Sequence, residues 1–185
     1  MRVKRTESVL LVVDVQEKLI GTITEDKELV RNIKALVKTA QILAVPVLVT
    51  EQEKLGETIP ELKTMLGDHH MFRKVAFSVC EISEFTHALR GLGRRTVIAC
   101  GIEAHICVLQ AVLDLLQLGY HVLVASDAVS SHGVADNERA LQRMRDAGAM
   151  IATTETVIYE WTERAGTEEF KKILEIVKER RKNTT

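Results

Sequence analysis

The chain has 185 residues, of which 46% are hydrophobic, so it is long enough to bury one sizeable core. Its formal net charge of −1 gives it no overall basic character, and we therefore expect no nucleic-acid partner. Its three cysteines include no Cys-x-x-Cys pair, which argues against a disulfide scaffold and against a structural zinc site.

The N-terminus is basic and is followed by an apolar run that contains Asp14 and Gln16. This run is too short and too polar at its end to span a membrane, and no small-residue cleavage site follows it. We therefore expect a cytoplasmic protein without a membrane partner. No linker or internal repeat divides the sequence, which predicts a single domain over residues 1–185.

Short apolar runs alternate with longer amphipathic stretches along the chain. The runs predict strands over residues 9–15, 45–50, 71–74, 96–100, 121–126 and 150–153. The amphipathic stretches predict helices over residues 27–43, 83–92, 105–118, 137–147 and 167–181. This alternation is typical of an α/β protein with a parallel sheet covered by helices on both faces.

Sites in such sheets form beyond the carboxyl ends of the strands, where the strand order reverses. Asp14 ends the first predicted strand, and an acid there is unfavourable unless it is partnered or lies at a cleft. Lys74 ends the third. Taken alone, Asp14 could equally be a helix cap or a structural acid, and a lone lysine is usually solvated.

Cys107 follows the fourth predicted strand and is placed in the first turn of the next helix. Free N–H groups and the positive dipole end at a helix start lower the pKa of a thiol and favour the thiolate. The simpler alternative is a small buried side chain. Together with Asp14 and Lys74, however, Cys107 completes a base, a cation and a thiol, the groups required for nucleophilic attack on a carbonyl.

These motifs resemble those of the isochorismatase-like cysteine hydrolases, a family that includes nicotinamidases and several amidases. The matching stretches are residues 10–16 (LLVVDVQ), 72–74 (FRK) and 101–108 (GIEAHICV), with further similarity at 126–129 and 153–155. The resemblance covers nearly the whole chain. The GIEAHICV form is similar to the branch described only as isochorismatase-domain proteins, whose members frequently have no settled substrate.

The resemblance implies a three-layer α/β/α, Rossmann-like fold with a six-stranded parallel sheet in the order 3-2-1-4-5-6. The first and fourth strands would then lie side by side at the switch point, with Asp14 facing Cys107. The resemblance also implies a non-proline cis peptide bond before the nucleophile's turn, at the bond between Ile102 and Glu103.

For activity, the resemblance implies cleavage of a C–N bond in a small amide through a thioester on Cys107. Asp14 would accept the thiol proton and return it to the leaving group, while Lys74 favours the ionised pair. Backbone N–H groups of Cys107 and of the turn near Glu103 and Ala104 would form the oxyanion hole. A regulatory or small-molecule-binding protein of the same fold, without catalysis, is the alternative.

Several further residues are predicted around this site. Gln16, Phe72 and His105 could shape the pocket, although a helix-surface role fits His105 equally well. Nicotinamidases of the family bind a metal with an Asp-x-His pair after the second strand, whereas the corresponding loop, residues 51–56 (EQEKLG), has no histidine. We therefore expect no metal or other cofactor.

Other side chains receive structural predictions. Cys80 and Cys100 are expected in or near the core, and Asp127 and Ser131 are expected to stabilise a loop at the same end of the sheet. Aromatic residues are only 4% of the chain and are favoured at interfaces, so Tyr159 and Trp161 are predicted at a subunit contact. The resemblance implies a homo-oligomer, a dimer or a larger even number. His69 and His70 are predicted on a surface loop.

A dinucleotide-binding protein is a third possibility from the strand and helix pattern alone. The glycine-rich fingerprint G-x-G-x-x-G that such proteins carry after the first strand is missing here, so we set that class aside.

Overall fold

A computed structural model describes residues 2–67, 69 and 71–182 and confirms the predicted sheet. Its strands are β1 (Ser8–Val13), β2 (Val47–Gln52), β3 (Met71–Lys74), β4 (Thr96–Ile102), β5 (His121–Ser130) and β6 (Met150–Ala152). All neighbouring strands are parallel, in the order β3-β2-β1-β4-β5-β6. The expected strand order is therefore correct, and the carboxyl ends of β1 and β4 meet at the switch point.

Helices connect the strands. They are α1 (Glu17–Ile20), α2 (Asp26–Ile42), α3 (Pro60–Leu66), α4 (Ser83–Gly91), α5 (Leu109–Gln117), α6 (Val134–Asp146), α7 (Thr154–Thr162) and α8 (Glu168–Lys182). A five-residue π-helical turn, Ala104–Val108, precedes α5. None of the helices within the described residues is long and apolar enough to cross a bilayer.

The sheet is buried on both faces, as the unbroken apolar sequence of β1 predicts. Leu10 and Val12 pack on one side, in a core cluster shared with α2, α7 and α8. Leu11 and Val13 point to the other side, into a cluster shared with α4, α5 and α6. These two layers hold the carboxyl ends of the strands in fixed relative positions.

The structure differs from the prediction in the elements α1, α3 and α7 and in the turn before α5. Pro60 begins α3, where its fixed φ angle and missing N–H are compatible with a first helical turn. The side chain of Thr153 accepts a hydrogen bond from Thr156 N–H and caps α7. The predicted helix over 105–118 is in fact the π-helical turn followed by α5.

Gly101 allows β4 to lie close against β1. Its φ is +118°, and a Cβ at this position would lie 2.1 Å from the carbonyl oxygen of Val13. We expect Gly101→Ala to lower the free energy of unfolding by about 3 kcal/mol or more, because both the backbone angle and the clash oppose it.

Gly119→Ala is the matched control for this prediction. Gly119 also has a positive φ, +84°, but no heavy atom lies within 4 Å of the added Cβ. Gly119→Ala should lower the free energy of unfolding by about 1–2 kcal/mol, the usual cost of placing a residue other than glycine in a left-handed backbone conformation. Urea denaturation of both variants would measure the difference, and equal losses would contradict the role given to Val13.

Candidate active site

Three strand ends bring the predicted catalytic residues to one edge of the sheet. Asp14 follows β1 directly and has a φ of +50°, which turns the chain sharply at the end of the strand. Lys74 is the last residue of β3. Cys107 lies in the π-helical turn after β4. Since β2 lies between β3 and β1, the Lys74 side chain must reach past it to contact the other two.

Lys74 contacts both predicted partners. Its Nζ donates to Asp14 Oδ2 at 2.6 Å and lies 3.4 Å from Cys107 Sγ. The side chains of Asp14 and Lys74 are both 0% exposed. A buried carboxylate and a buried ammonium each need a partner, and here they form an ion pair beside the thiol.

Two residues that the sequence analysis missed complete this cluster. Thr50 Oγ1 donates to Asp14 Oδ1 at 2.6 Å. Gln52 Oε1 accepts a hydrogen bond from Lys74 Nζ at 2.6 Å and lies 3.9 Å from Cys107 Sγ. Both belong to the carboxyl end of β2, so the strand-end rule that selected Asp14 and Lys74 applied to them as well.

The charge state of Cys107 differs from the sequence-based expectation. Burial raises the pKa of this thiol to about 12, the neighbouring Asp14 carboxylate also raises it, and Lys74 lowers it only in part. Burial and the carboxylate thus oppose a resting thiolate, which is the opposite direction from the one expected for a thiol at a helix start. Cys107 lies in the π-helical turn that continues directly into α5, so it is in the first turn of this helical segment, as predicted.

The turn before Cys107 has a distinct backbone geometry. The peptide bond between Ile102 and Glu103 is cis. The Glu103 carbonyl oxygen accepts from the N–H groups of Ile106 at 3.1 Å and Val108 at 3.2 Å. Ala104 begins the π-helical turn and is fully buried. The segment from Glu103 to Cys107 therefore forms a compact turn that carries the thiol.

His105 and Glu103 connect this turn to the loop after β5. His105 Nδ1 lies 2.9 Å from Ser131 Oγ, and Glu103 Oε2 accepts from the backbone N–H of His132 at 2.9 Å. Ser131 is fully buried and thus holds the loop at this edge, as predicted. The His105 ring is partly exposed beside the site.

Two other predicted pocket residues lie behind the site. The Gln16 side chain is fully buried, and its amide binds the backbone of Gln52 and Gly56. Phe72 is 3% exposed, and its ring packs edge-on against Phe85 with centroids 5.3 Å apart. These side chains support the site from the core and do not form an open wall.

The remaining cysteines are core or near-core residues, as expected. Cys100 is fully buried in β4, and Cys80 is partly buried. Burial raises the pKa of Cys80 to about 12 and also raises that of Cys100.

Asp127 and Trp161 have structural roles in the layer around α7. Asp127 Oδ1 accepts from Thr154 N–H at 2.6 Å, and its Oδ2 accepts from Arg180 Nη2 at 2.6 Å. Trp161 is fully buried in the core, so the prediction that it lies at a subunit contact is wrong. Tyr159 is 39% exposed, and its contact with another subunit stays a prediction.

The loop after β2 is held by protein groups. Glu51 Oε1 accepts from the N–H and the hydroxyl of Thr58 at 2.8 and 2.9 Å. Over the described ranges, no group of three or more His, Cys, Asp or Glu side chains is arranged to hold a metal ion. His69 lies in the loop before β3, while His70 lies outside the described residues.

A groove of about 760 Å³ lies elsewhere, between α2, α3 and α8. Its walls carry both acidic and basic side chains, and neither Asp14, Lys74 nor Cys107 contributes to it. The chemistry at the sheet edge therefore belongs to a separate, tighter site, in which Cys107 is 7% exposed.

An open parallel sheet of this order, with a buried acid, lysine and cysteine at its switch point, places the chain among three-layer α/β/α proteins of the Rossmann-like kind. Residues 8–156 match the family model for the isochorismatase domain. The chain belongs to the isochorismatase family, whose members are generally hydrolases.

Similar proteins come from distant organisms. The "Secreted isochorismatase effector Isc1" of Phytophthora sojae is 40% identical, over 93% of this chain and 85% of the relative. The MAR1 ribonuclease structure from Caenorhabditis elegans is 37% identical, with a TM-score of 0.91 and coverage of 96% and 92%. The YcaC gene product of Escherichia coli, an octameric hydrolase of unknown specificity, has a TM-score of 0.90 at 22% identity and coverage of 98% and 94%.

Proposed function

We propose that the chain is a cysteine hydrolase that cleaves a C–N bond of a small amide through a thioester on Cys107. The observation that carries this proposal is the buried contact of Lys74 Nζ with both Asp14 and Cys107. A general base, a cation and a thiol held together at a strand-end crevice suit attack on a carbonyl.

Asp14 acts as the proton carrier in this reaction. Because the thiol pKa is raised in the resting site, the proton passes from Cys107 to the Asp14 carboxylate as Sγ bonds to the carbonyl carbon. The tetrahedral oxyanion accepts hydrogen bonds from backbone N–H groups of the turn from Glu103 to Cys107. When the C–N bond breaks, the protonated Asp14 gives its proton to the leaving nitrogen.

Water completes the cycle. The Asp14 carboxylate takes a proton from the water as its oxygen bonds to the thioester carbonyl carbon. Collapse of the second tetrahedral intermediate breaks the C–S bond, releases the carboxylic acid product and returns the proton to Cys107 Sγ. Lys74 stabilises the negative sulfur at the two moments when it develops charge.

The surroundings of Cys107 favour small substrates. The thiol residue is 7% exposed and is bordered by the buried Asp14–Lys74 pair, which leaves little room for a bulky acyl group. We also propose an even-numbered homo-oligomer, which the octameric state of Escherichia coli YcaC supports. A cytoplasmic location stays a prediction, since the Phytophthora relative is named a secreted effector.

A substrate panel with a Cys107→Ala variant tests the proposal. We expect ammonia or amine release from at least one small amide, and a fall of about 10³-fold or more in the variant, since the nucleophile is lost. Cys80→Ala is the control, because Cys80 lies away from the ion pair and should keep its turnover. Turnover that survives in Cys107→Ala would refute covalent catalysis.

The same substrate panel separates an amide hydrolase from a ribonuclease and from a protein that only binds ligands. RNA belongs in it because the Caenorhabditis elegans neighbour is named a ribonuclease. A protein of this fold that only binds ligands would release no product from any substrate and would show no mass increase on Cys107 with an electrophilic amide.

A further inference from the structure

The ammonium group of Lys74 has three acceptors around it. Its Nζ donates to Asp14 Oδ2 and to Gln52 Oε1, each at 2.6 Å, and lies 3.4 Å from Cys107 Sγ. A lysine ammonium has three protons to donate and cannot accept. Since Lys74 is only 2% exposed, protein groups set the direction of each proton.

The side-chain amide of Gln52 is fixed at both ends. Nε2 donates to the carbonyl oxygen of Val75 at 2.6 Å, which leaves Oε1 facing Lys74. Gln52 and Lys74 are also register partners on β2 and β3, and the backbone N–H of Glu53 donates to the Lys74 carbonyl oxygen at 2.9 Å. The amide oxygen therefore has one defined position beside the ammonium.

Gln16 fixes the backbone of Gln52 from the core side. The N–H of Gln52 donates to Gln16 Oε1 at 2.8 Å, and Gln16 Nε2 donates to the carbonyl oxygens of Gln52 at 2.9 Å and Gly56 at 2.7 Å. The Gln16 side chain is fully buried. A continuous chain of hydrogen bonds thus runs from the core through Gln52 to Lys74.

We propose that Gln52 is a positioning residue of the Cys107 site, whose amide oxygen takes one proton of Lys74 and aims the other two at Asp14 and Cys107. This inference rests on the proposed function, in which Lys74 stabilises the negative sulfur. Without this acceptor, a buried N–H of the ammonium loses its partner, which is unfavourable, and the ammonium is expected to turn away from the thiol.

A neutral acceptor suits this position better than a charged one. The site already holds one carboxylate, Asp14, which raises the pKa of the Cys107 thiol. A second carboxylate at residue 52 would add negative charge next to the sulfur and oppose the thiolate further. Gln52 gives Lys74 an acceptor without that effect.

Two variants test the proposal by different routes. Gln52→Leu removes the acceptor, and Gln52→Glu keeps it but adds a charge. The rate of Cys107 alkylation by iodoacetamide is measured by mass spectrometry between pH 6 and pH 10, together with kcat and KM for an amide substrate. Gln117→Leu, at an exposed position on α5, is the control with the same side-chain change.

We expect both Gln52 variants to alkylate about tenfold more slowly at pH 8, equivalent to a rise of about one unit in the thiol pKa. We expect kcat to fall while KM changes less than about threefold, because the affected group stabilises the sulfur and leaves substrate binding intact. Gln117→Leu should match the wild type in all three quantities.

Other outcomes overturn the proposal. An unchanged alkylation profile, with only a lower melting temperature, would reduce Gln52 to a structural residue. A large rise in KM at constant kcat would make it a substrate contact. If Gln52→Leu does not fold, Gln52→Met, which also removes the amide oxygen but keeps the length of the side chain, decides by the same alkylation profile. Should the wild type hydrolyse no amide, the proposed function fails, while the alkylation data still decide the role of Gln52.

Discussion

In the Asp14→Asn variant, we expect amide turnover to fall by about 10²–10⁴-fold, the range ascribed to a lost general base. The same variant should alkylate faster at Cys107. Asp14 raises the thiol pKa and Lys74 lowers it, so removing the carboxylate while keeping the ammonium lowers the thiol pKa. At pH 8 a larger fraction of the sulfur is then thiolate, and the alkylation profile moves to lower pH.

The opposite directions of these two effects make the prediction specific. Asparagine accepts the left-handed backbone of position 14 about as readily as aspartate, so the variant tests the charge and not the turn. Asp146→Asn, an exposed change at the end of α6, is the control and should alter neither quantity. Slower alkylation of Asp14→Asn at every pH would mean that Asp14 does not face the thiol.

Lys74→Met should cause the largest loss of stability among these variants. It leaves the Asp14 carboxylate buried with uncharged partners, among them the Thr50 hydroxyl. Removal of one member of a buried ion pair typically lowers the free energy of unfolding by about 3–5 kcal/mol. For a chain of this size, that corresponds to a fall of roughly 6–20 °C in melting temperature.

A double variant identifies the cause of that loss. Asp14→Asn combined with Lys74→Met leaves no unpaired charge and should be more stable than Lys74→Met alone. Lys178→Met, at an exposed position on α8, controls for the change of side chain and should unfold like the wild type. If the stability losses of Asp14→Asn and Lys74→Met add in the double variant, there is no interaction energy between the two side chains.

The sheet could be predicted because a strand that is buried on both faces shows as an unbroken apolar run in the sequence. β1 is apolar at nearly every position, as a strand covered on both faces must be. By contrast, α7 (Thr154–Thr162) contains several β-branched residues and has little helical preference of its own. Its helix begins at the local Thr153 cap and depends on the burial of Ile158 and Trp161, which is a tertiary effect.

The candidate site was predictable for its charged and nucleophilic members only. Asp14, Lys74 and Cys107 stand out at strand ends because such groups need a reason to be there. Thr50 and Gln52 are neutral polar residues of a common kind, and their contacts depend on the register of β2 with its neighbours. Only the structure shows which polar atoms face the ammonium.

The protonation state of Cys107 also lay beyond the sequence. Position at a helix start favours a thiolate, whereas burial and the nearby Asp14 carboxylate raise the pKa of the thiol. The first turn of this helical segment, Ala104–Val108, is π-helical, which the sequence pattern did not predict. In the proposed mechanism, Cys107 is therefore deprotonated by Asp14 during the attack.

Mass spectrometry of the protein during turnover would detect the proposed thioester itself. Rapid acid quenching in the presence of a slowly hydrolysed small amide should show a mass increase equal to the acyl group, located on the peptide that contains Cys107 and removed by hydroxylamine. The adduct should be missing in Cys107→Ala and should not accumulate in Asp14→Asn. Product release with unmodified Cys107, or an adduct on another residue, would contradict a thioester mechanism at this site.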